Sequence, residues 1–250
     1  MEPATTPLVT RHDEQGVAVL TLDSPANRNA LSKALLTQLT EAVTTAGADP
    51  DVLAIVLTSS QRVFCAGADL KEAATVDMVE QAGRIIAVQR AIVAAPVPVV
   101  CRLEGPVRAG GLGLVASADI VICSDEVTFA LTEVRLGLAA ATISIPLRAR
   151  LAPRVATDWF LTGRTFTAAE AQAGGLVTHV VPADYLDDEV NRVLADLRAG
   201  HRQGLKHGKE LLTGELLADF DARGAAMAQL SGELFHSPVA QERMAAALRR

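Results

Sequence analysis

The chain is poor in aromatic residues, in lysine and in net positive charge. Among 250 residues there are six Phe, one Tyr and one Trp, and the 23 basic residues divide into 19 Arg and 4 Lys. The formal net charge is −6 and the pI about 5.4. A nucleic-acid binder needs a basic footprint, usually with aromatic platforms for unpaired bases, so that class is excluded. Long apolar runs are missing too. The longest stretch without Asp, Glu, Lys or Arg is the thirteen residues Ala171–Ala183, interrupted by Gly174-Gly175 and too short to cross a bilayer. The opening segment, MEPATTPLVT, contains neither the basic nor the apolar stretch of a secretory signal. Cys65, Cys101 and Cys123 are odd in number, far apart and without a CxxC pair, which reads as buried reduced thiols and not as a disulfide frame or a zinc site. These absences predict an acidic cytoplasmic protein with neither a nucleic-acid nor a membrane partner.

Enough remains to build a large core. Half of the residues are hydrophobic and the mean hydropathy is +0.26, which excludes disorder as the dominant state. The length suits one large domain or a domain with a smaller appendage. Residues 17–22 (VAVLTL) and 52–58 (VLAIVLT) read as strands. Between them Ser32 is a good N-cap for a helix whose apolar positions 35, 36, 39, 42, 43 and 46 share one face, with Gly47 as its stop. A second helix is expected over Val76–Ala95, ended by Pro96 and Pro98, then a strand, Val97–Leu103, a helix, Leu112–Ala118, and a strand, Ile120–Cys123. This alternation predicts the α/β class over residues 1–182. Residues 183–250 are almost wholly helix-forming. Apolar stripes such as Leu211, Leu212, Leu216, Leu217 and Phe220 predict three or four helices that dock on the first part or on a partner subunit.

Familiar catalytic motifs fail one by one. Gly105 and Gly110 have Walker A spacing, but Gly111-Leu112 stand where Lys and a hydroxyl belong. Gly111-x-Gly113-x-x-Ala116 begins too far beyond its strand for a dinucleotide turn. There is no G-x-S-x-G elbow and no H-E-x-x-H, and the five histidines are scattered. Two loops and one acid remain: Val63–Lys71, Gly105–Gly113, and Glu133 among the apolar neighbours of Phe129–Leu138. Small residues let a ligand approach the backbone, and a helix start aims free N–H groups at negative charge. Taken singly, each loop reads equally well as a structural turn, and Glu133 as a solvated charge or an ion pair with Arg135.

Together and in order, these elements resemble the crotonase superfamily, the enoyl-CoA hydratase/isomerase family. The resemblance is carried by Ser24-Pro-Ala-Asn-Arg-Asn-Ala-Leu-Ser32, Phe64-Cys-Ala-Gly-Ala-Asp-Leu-Lys71, Gly105-x4-Gly110-Gly111 leading to Asp119, Thr132-Glu-Val-Arg-Leu-Gly-Leu138, and Leu161-Thr-Gly-Arg-x-Phe-x-Ala-x-Glu-Ala171 with Gly175-Leu-Val177. It implies a spiral of ββα units over residues 1–182, completed by a C-terminal helical trimerisation region at 183–250, and assembly as a homotrimer or a dimer of trimers. It also implies an acyl-CoA thioester substrate, no metal and no cofactor apart from the CoA of the substrate. Catalysis would rest on Glu133 and on the backbone N–H groups of Ala68 and Gly110, which stabilise an enolate. Ala66, Ala68, Asp69, Leu70, Lys71, Gly110 and Gly113 would border the substrate, and Arg28, Lys71 and Lys206 or Lys209 would meet its phosphates. Arg108 reads equally as a substrate contact or as a structural group. The acyl pocket is expected from Ala73–Ala95 and Ala139–Ile145.

One departure bears on mechanism. Hydratases of this family hold water between two glutamates; the second falls on Glu133, whereas the first falls on Gly113, which has no side chain. Three readings follow: a hydratase in which Glu133 alone handles the proton, a Δ3,Δ2-enoyl-CoA isomerase using the same single acid, and a weakly active acyl-CoA binder.

Overall fold

The computed structural model describes residues 7–72 and 76–248. Its framework is a six-stranded sheet in the order β1-β2-β3-β4-β6-β9, formed by β1 (Val9–Glu14), β2 (Val17–Leu22), β3 (Ala54–Ser59), β4 (Val99–Leu103), β6 (Ile120–Ser124) and β9 (His179–Val181). Only the β1–β2 hairpin is antiparallel; the other pairings are parallel. A three-stranded sheet joins β5 (Val107–Arg108), β7 (Thr128–Ala130) and β8 (Thr165–Thr167).

Parallel strands are buried on both faces, which is why they read as aliphatic runs with no polar alternation. Ile55, Leu57, Val99 and Cys101 face a core shared with α1 (Lys33–Ala48) and α3 (Gly111–Ser117). Val17, Val56, Val100 and Ile122 face the other way, against Leu186, Val190, Val193 and Leu194 of α7 (Leu186–Ala199). The first helix of the C-terminal region therefore covers the second face of the sheet. The few aromatics are concentrated: Trp159 of α5 (Pro153–Thr162) stacks on Phe166 at 3.6 Å, and Phe166 on Phe129 at 5.5 Å.

Ser32 caps α1 through its side chain, which accepts from Leu35 N–H at 3.2 Å. The expected stop at Gly47 is corrected: α1 runs on to Ala48, and the glycine serves a close approach, since a Cβ there would lie 3.0 Å from Pro96 Cδ. The second helix, α2 (Met78–Ala94), starts at an Asp77 cap that accepts from Val79 and Glu80 N–H. Of the expected Val76–Ala95 helix, its two ends thus lie outside α2.

The C-terminal region comprises α7, the 34-residue α8 (Arg202–Phe235) and α9 (Pro238–Leu248). The expected stripe on α8 divides: Leu216 and Phe220 are buried, whereas Leu211 and Leu212 are 88% and 83% exposed. Helix α8 packs on α2 through Leu216, Phe220 and Ala228, with Gly224 against Ile86 and Gly232 against Val79. Small residues let the two helices approach closely and carry the far end of α8 over the loops after β3 and β4. A buried ion pair fixes this docking: Lys209 Nζ lies 2.8 Å from Asp119 and donates to the carbonyls of Ile92 and Val97. No helix among the described residues is long and apolar enough to cross a membrane.

Candidate active site

The loops leaving β3 and β4 are stitched together by backbone hydrogen bonds. Phe64 N–H donates to Pro106 O at 3.1 Å and Arg108 N–H to Cys65 O at 3.0 Å. A third strand of chain joins them, with Leu31 N–H donating to Gly67 O at 2.8 Å and Ala66 N–H to Arg28 O at 3.2 Å. Gly67 turns the first loop at φ +96°, and a Cβ there would meet Ala109 Cβ at 2.8 Å. Both facts require glycine. Fully buried Asn29 holds the same loop from the side: its Oδ1 accepts from Ser24 N–H, and its Nδ2 donates to Ser59 Oγ, Val63 O and Phe64 O.

This stitching does not use the amides of Ala68 and Gly110. Among the described residues, the N–H groups of Ala68 and Gly110 donate to no protein acceptor. They are neighbours, because a Cβ built on Gly110 would lie 3.8 Å from Ala68 N. Both residues line a cavity of about 130 Å³, together with Ala66, Leu70 and Glu133. Met78, Ala82 and Ile85 of α2 and Ala139 and Thr142 form further wall, as expected of those stretches. Residues 73–75 of the first stretch lie outside the described residues. A larger groove of about 530 Å³ between α1 and α2 is open and has no converging amides and no enclosed acid. The smaller cavity is therefore the candidate site.

Glu133 lies on a short 3-10 helix, Thr132–Leu136. The residue as a whole is half-buried, but its Oε2 is enclosed and has no hydrogen-bond partner among the described residues. Desolvation pushes its carboxyl up from 4.5 to about 7, and its own backbone N–H is the one opposing influence. Arg135 forms no ion pair with it among the described residues. The cavity thus joins one proton-transferring group, poised near neutrality, with two donors able to hold an oxyanion.

The structure places Ala66, Ala68, Leu70, Gly110 and Glu133 on one cavity and leaves the other candidates off its lining. Asp69 shapes the turn, accepting from Lys71 N–H at 3.0 Å and from Asn27 Nδ2 at 2.9 Å. Arg28, at φ +57°, and Lys71 are exposed, and their charged ends have no protein partner among the described residues. Gly113 is fully buried behind the wall. One reading, Lys209 at the phosphates, is corrected, and the choice left open at Arg108 falls to its structural alternative. Lys209 is spent on Asp119, with its side chain 5% exposed, and cannot reach a phosphate. Arg108 is structural, donating to Thr128 O at 2.6 Å and Thr128 Oγ1 at 2.8 Å. Cys65 packs against Gly111, and burial pushes its thiol up to about 12, so it is inert as a nucleophile. All three cysteines are free and buried. The described residues contain no cluster of His, Cys, Asp and Glu suited to a metal ion.

Sequence reasoning missed Ser231 and Phe235 of α8, which line the cavity. Nothing in their local sequence marks them; only the small-residue packing of α8 on α2 brings them there.

The α/β fold thus carries, on one cavity, two free backbone amides beside an enclosed carboxyl. The chain belongs to the enoyl-CoA hydratase/isomerase family, whose description its residues 12–249 match. It is 32% identical over 238 residues to the "Probable enoyl-CoA hydratase echA8" of Mycobacterium bovis, covering 92% of this chain and 88% of that protein. It is 33% identical over 211 residues to the (7aS)-7a-methyl-1,5-dioxo-2,3,5,6,7,7a-hexahydro-1H-indene-carboxyl-CoA hydrolase of Mycobacterium tuberculosis, covering 82% of this chain and 84% of that protein. The crystal structure of an enoyl-CoA hydratase from Mycobacterium avium is 40% identical and superposes with a TM-score of 0.91, covering 98% of this chain and 97% of that one. The fold is therefore that of the crotonase superfamily.

Proposed function

We propose that the protein adds water to the double bond of a 2-enoyl-CoA thioester. The observation that carries this reading is the enclosed, unpaired Oε2 of Glu133 in the cavity that also receives the free amides of Ala68 and Gly110. The ionised carboxylate takes a proton from water as the water oxygen bonds to C3. The C2=C3 electrons move onto the thioester oxygen, where the two amides meet the developing charge. The enolate then collapses and C2 takes the proton from Glu133, which restores the carboxylate. One water is added and nothing else is consumed, so the step needs no metal and no cofactor beyond the substrate's CoA. Each amide is worth about 3 kcal/mol to the transition state. Exposed Arg28 and Lys71 are the cations on this side of the molecule for the CoA phosphates, and Ala66, Asp69 and Leu70 supply backbone along its path.

A second reading, Δ3,Δ2-enoyl-CoA isomerisation, is favoured by one observation: among the described residues, Glu133 is the single acid on the cavity lining. There it would take a proton from C2 and return it at C4. Purified protein supplied with 2-enoyl- and 3-enoyl-CoAs of several lengths decides between them. Hydration that disappears in Glu133→Gln supports the first reading, and isomerisation without hydration overturns it. Hydration that survives Glu133→Gln removes Glu133 from the mechanism. Retention of both the acid and the amides speaks against a binder without turnover.

A further inference from the structure

Behind the cavity wall lies a polar group that the mechanism above does not use. Gln89 of α2 is fully buried, and neither its Oε1 nor its Nε2 has a hydrogen-bond partner among the described residues. Enclosed polar groups are costly unless they find partners, so an amide with both ends free marks a place for a ligand atom. Its position identifies that place. A Cβ on Gly113 would lie 2.6 Å from Gln89 Nε2 and 2.5 Å from Ile143 Cγ2. The amide occupies the space that a side chain at position 113 would need. Three cavity-lining residues adjoin these in the chain: Ile85 lies one turn before Gln89 on α2, Gly110 one turn before Gly113, and Thr142 next to Ile143.

We infer that Gln89 is a positioning residue for the reacting water and for the 3-hydroxyl that this water becomes, an inference that rests on the hydratase reading. The argument is one of complementarity. Oε1 only accepts and Nε2 only donates, so one small partner that serves both must itself donate and accept. Water does, and so does the hydroxyl of the product. A substrate carboxylate only accepts and leaves Oε1 unpaired; an apolar acyl end serves neither atom. The amide neither gains nor loses a proton, so Glu133 remains the one acid and base. A neutral side chain reaching over from α2 thereby holds the water beside an α3 that carries glycine.

The test uses the full-length enzyme and two reactions. Hydration of but-2-enoyl-CoA needs positioned water; exchange of the C2 hydrogens of butanoyl-CoA with D2O needs Glu133 and the amides alone. Gln89→Met, which keeps the stem and removes the amide, is expected to lower kcat for hydration about tenfold or more, with KM within about twofold. Exchange is expected to stay within about twofold of the wild type. If Gln89→Met does not fold, Gln89→Asn, which withdraws the amide by one methylene, must show the same split. Unchanged hydration in these variants overturns the inference, as does a parallel fall in hydration and exchange, or an effect confined to KM for oxygen-bearing acyl chains. Failure of the hydratase reading is distinguishable, because the wild type itself then leaves but-2-enoyl-CoA unhydrated, and the inference falls with it.

Discussion

Replacing Glu133 by Gln is expected to abolish turnover and yet raise stability at neutral and alkaline pH. Enclosure moves the carboxyl from its ordinary 4.5 to about 7. That displacement corresponds to about 3 kcal/mol of discrimination against the charged form. The sign follows from which state holds the proton. Below pH 4.5 both the folded and the unfolded chain carry it, and no penalty exists. Between 4.5 and about 7 the unfolded chain releases it first, so this group's contribution to stability falls as pH rises. Above about 7 the folded chain bears an enclosed charge and the full penalty stands. Gln keeps the shape without the charge, but sets an amide where Oε2 has no partner, which offsets about 1 kcal/mol or more. The net gain at pH 8 is therefore about 1–2 kcal/mol, roughly 2–8 °C in melting temperature for a chain of this length. Calorimetric scans of wild type and variant at matched concentration between pH 5 and 8.5 measure it. The gap should be small or reversed at pH 5 and widen to a plateau above pH 7. A gap that ignores pH, or a variant that melts lower at pH 8, would refute the claim that enclosure, with no compensating partner, sets the state of this carboxyl.

Four further outcomes are expected. The kcat/KM of the wild type should rise with pH through a single ionisation near 7 and then level, since Glu133 must be ionised to take a proton; a second acidic limb would reveal another acid. Asn29→Ala removes the side chain that ties Ser24 to Val63 and Phe64; urea titration should show a loss of about 2–3 kcal/mol, with kcat falling more than KM as the Ala68 loop loosens. Lys209→Met strands Asp119 and should cost about 3–5 kcal/mol by the same titration, while KM stays unchanged because the lysine does not touch CoA. The Arg28→Ala/Lys71→Ala double variant should raise KM by about tenfold, from about 0.5–1 kcal/mol per exposed contact, and the difference should shrink in high salt.

The sequence speaks clearly where local chemistry decides structure. Helix α1 is legible because Ser32 caps it and Leu35, Leu36, Leu39, Val43 and Ala46 repeat on its buried face. Strands β2 to β4 and β6 are legible because burial on both faces makes them largely aliphatic. Strand β1 is not: its residues VTRHDE are nearly all exposed at the sheet edge, and its identity comes from pairing with β2. The face of α8 is illegible for the opposite reason. Leu211 and Leu212 point to solvent although Leu216 is buried, and glycine and alanine make part of the contact with α2. The same division runs through the site. Glu133 stands out as an acid in apolar text, but backbone donors have no side-chain signature, so Ala68 and Gly110 emerge only from the ordered set of motifs. Gln89 carries no signal at all. It reads as one polar position of a helix until Gly113 and Ile143 are set beside it.

The glycine at 113 and the single poised acid depend on each other. Two carboxylates in one enclosed site split each other's proton affinities, so that one is raised well above the other. Here desolvation is the cause of the displacement of Glu133. In the proposed cycle one carboxyl takes a proton from water and gives it to carbon, and a group doing both works best with its pKa near the working pH. Enclosure alone brings it to about 7. A second acid at position 113 would repel the ionised form, so that the two carboxyls would titrate as a coupled pair and not as one group set by enclosure. Glycine at 113, with a neutral amide in the space beside it, gives the site polarity without adding charge. Enclosing Glu133 costs about 3 kcal/mol of stability above pH 7, and the same enclosure is what lets one carboxyl serve both as base and as acid.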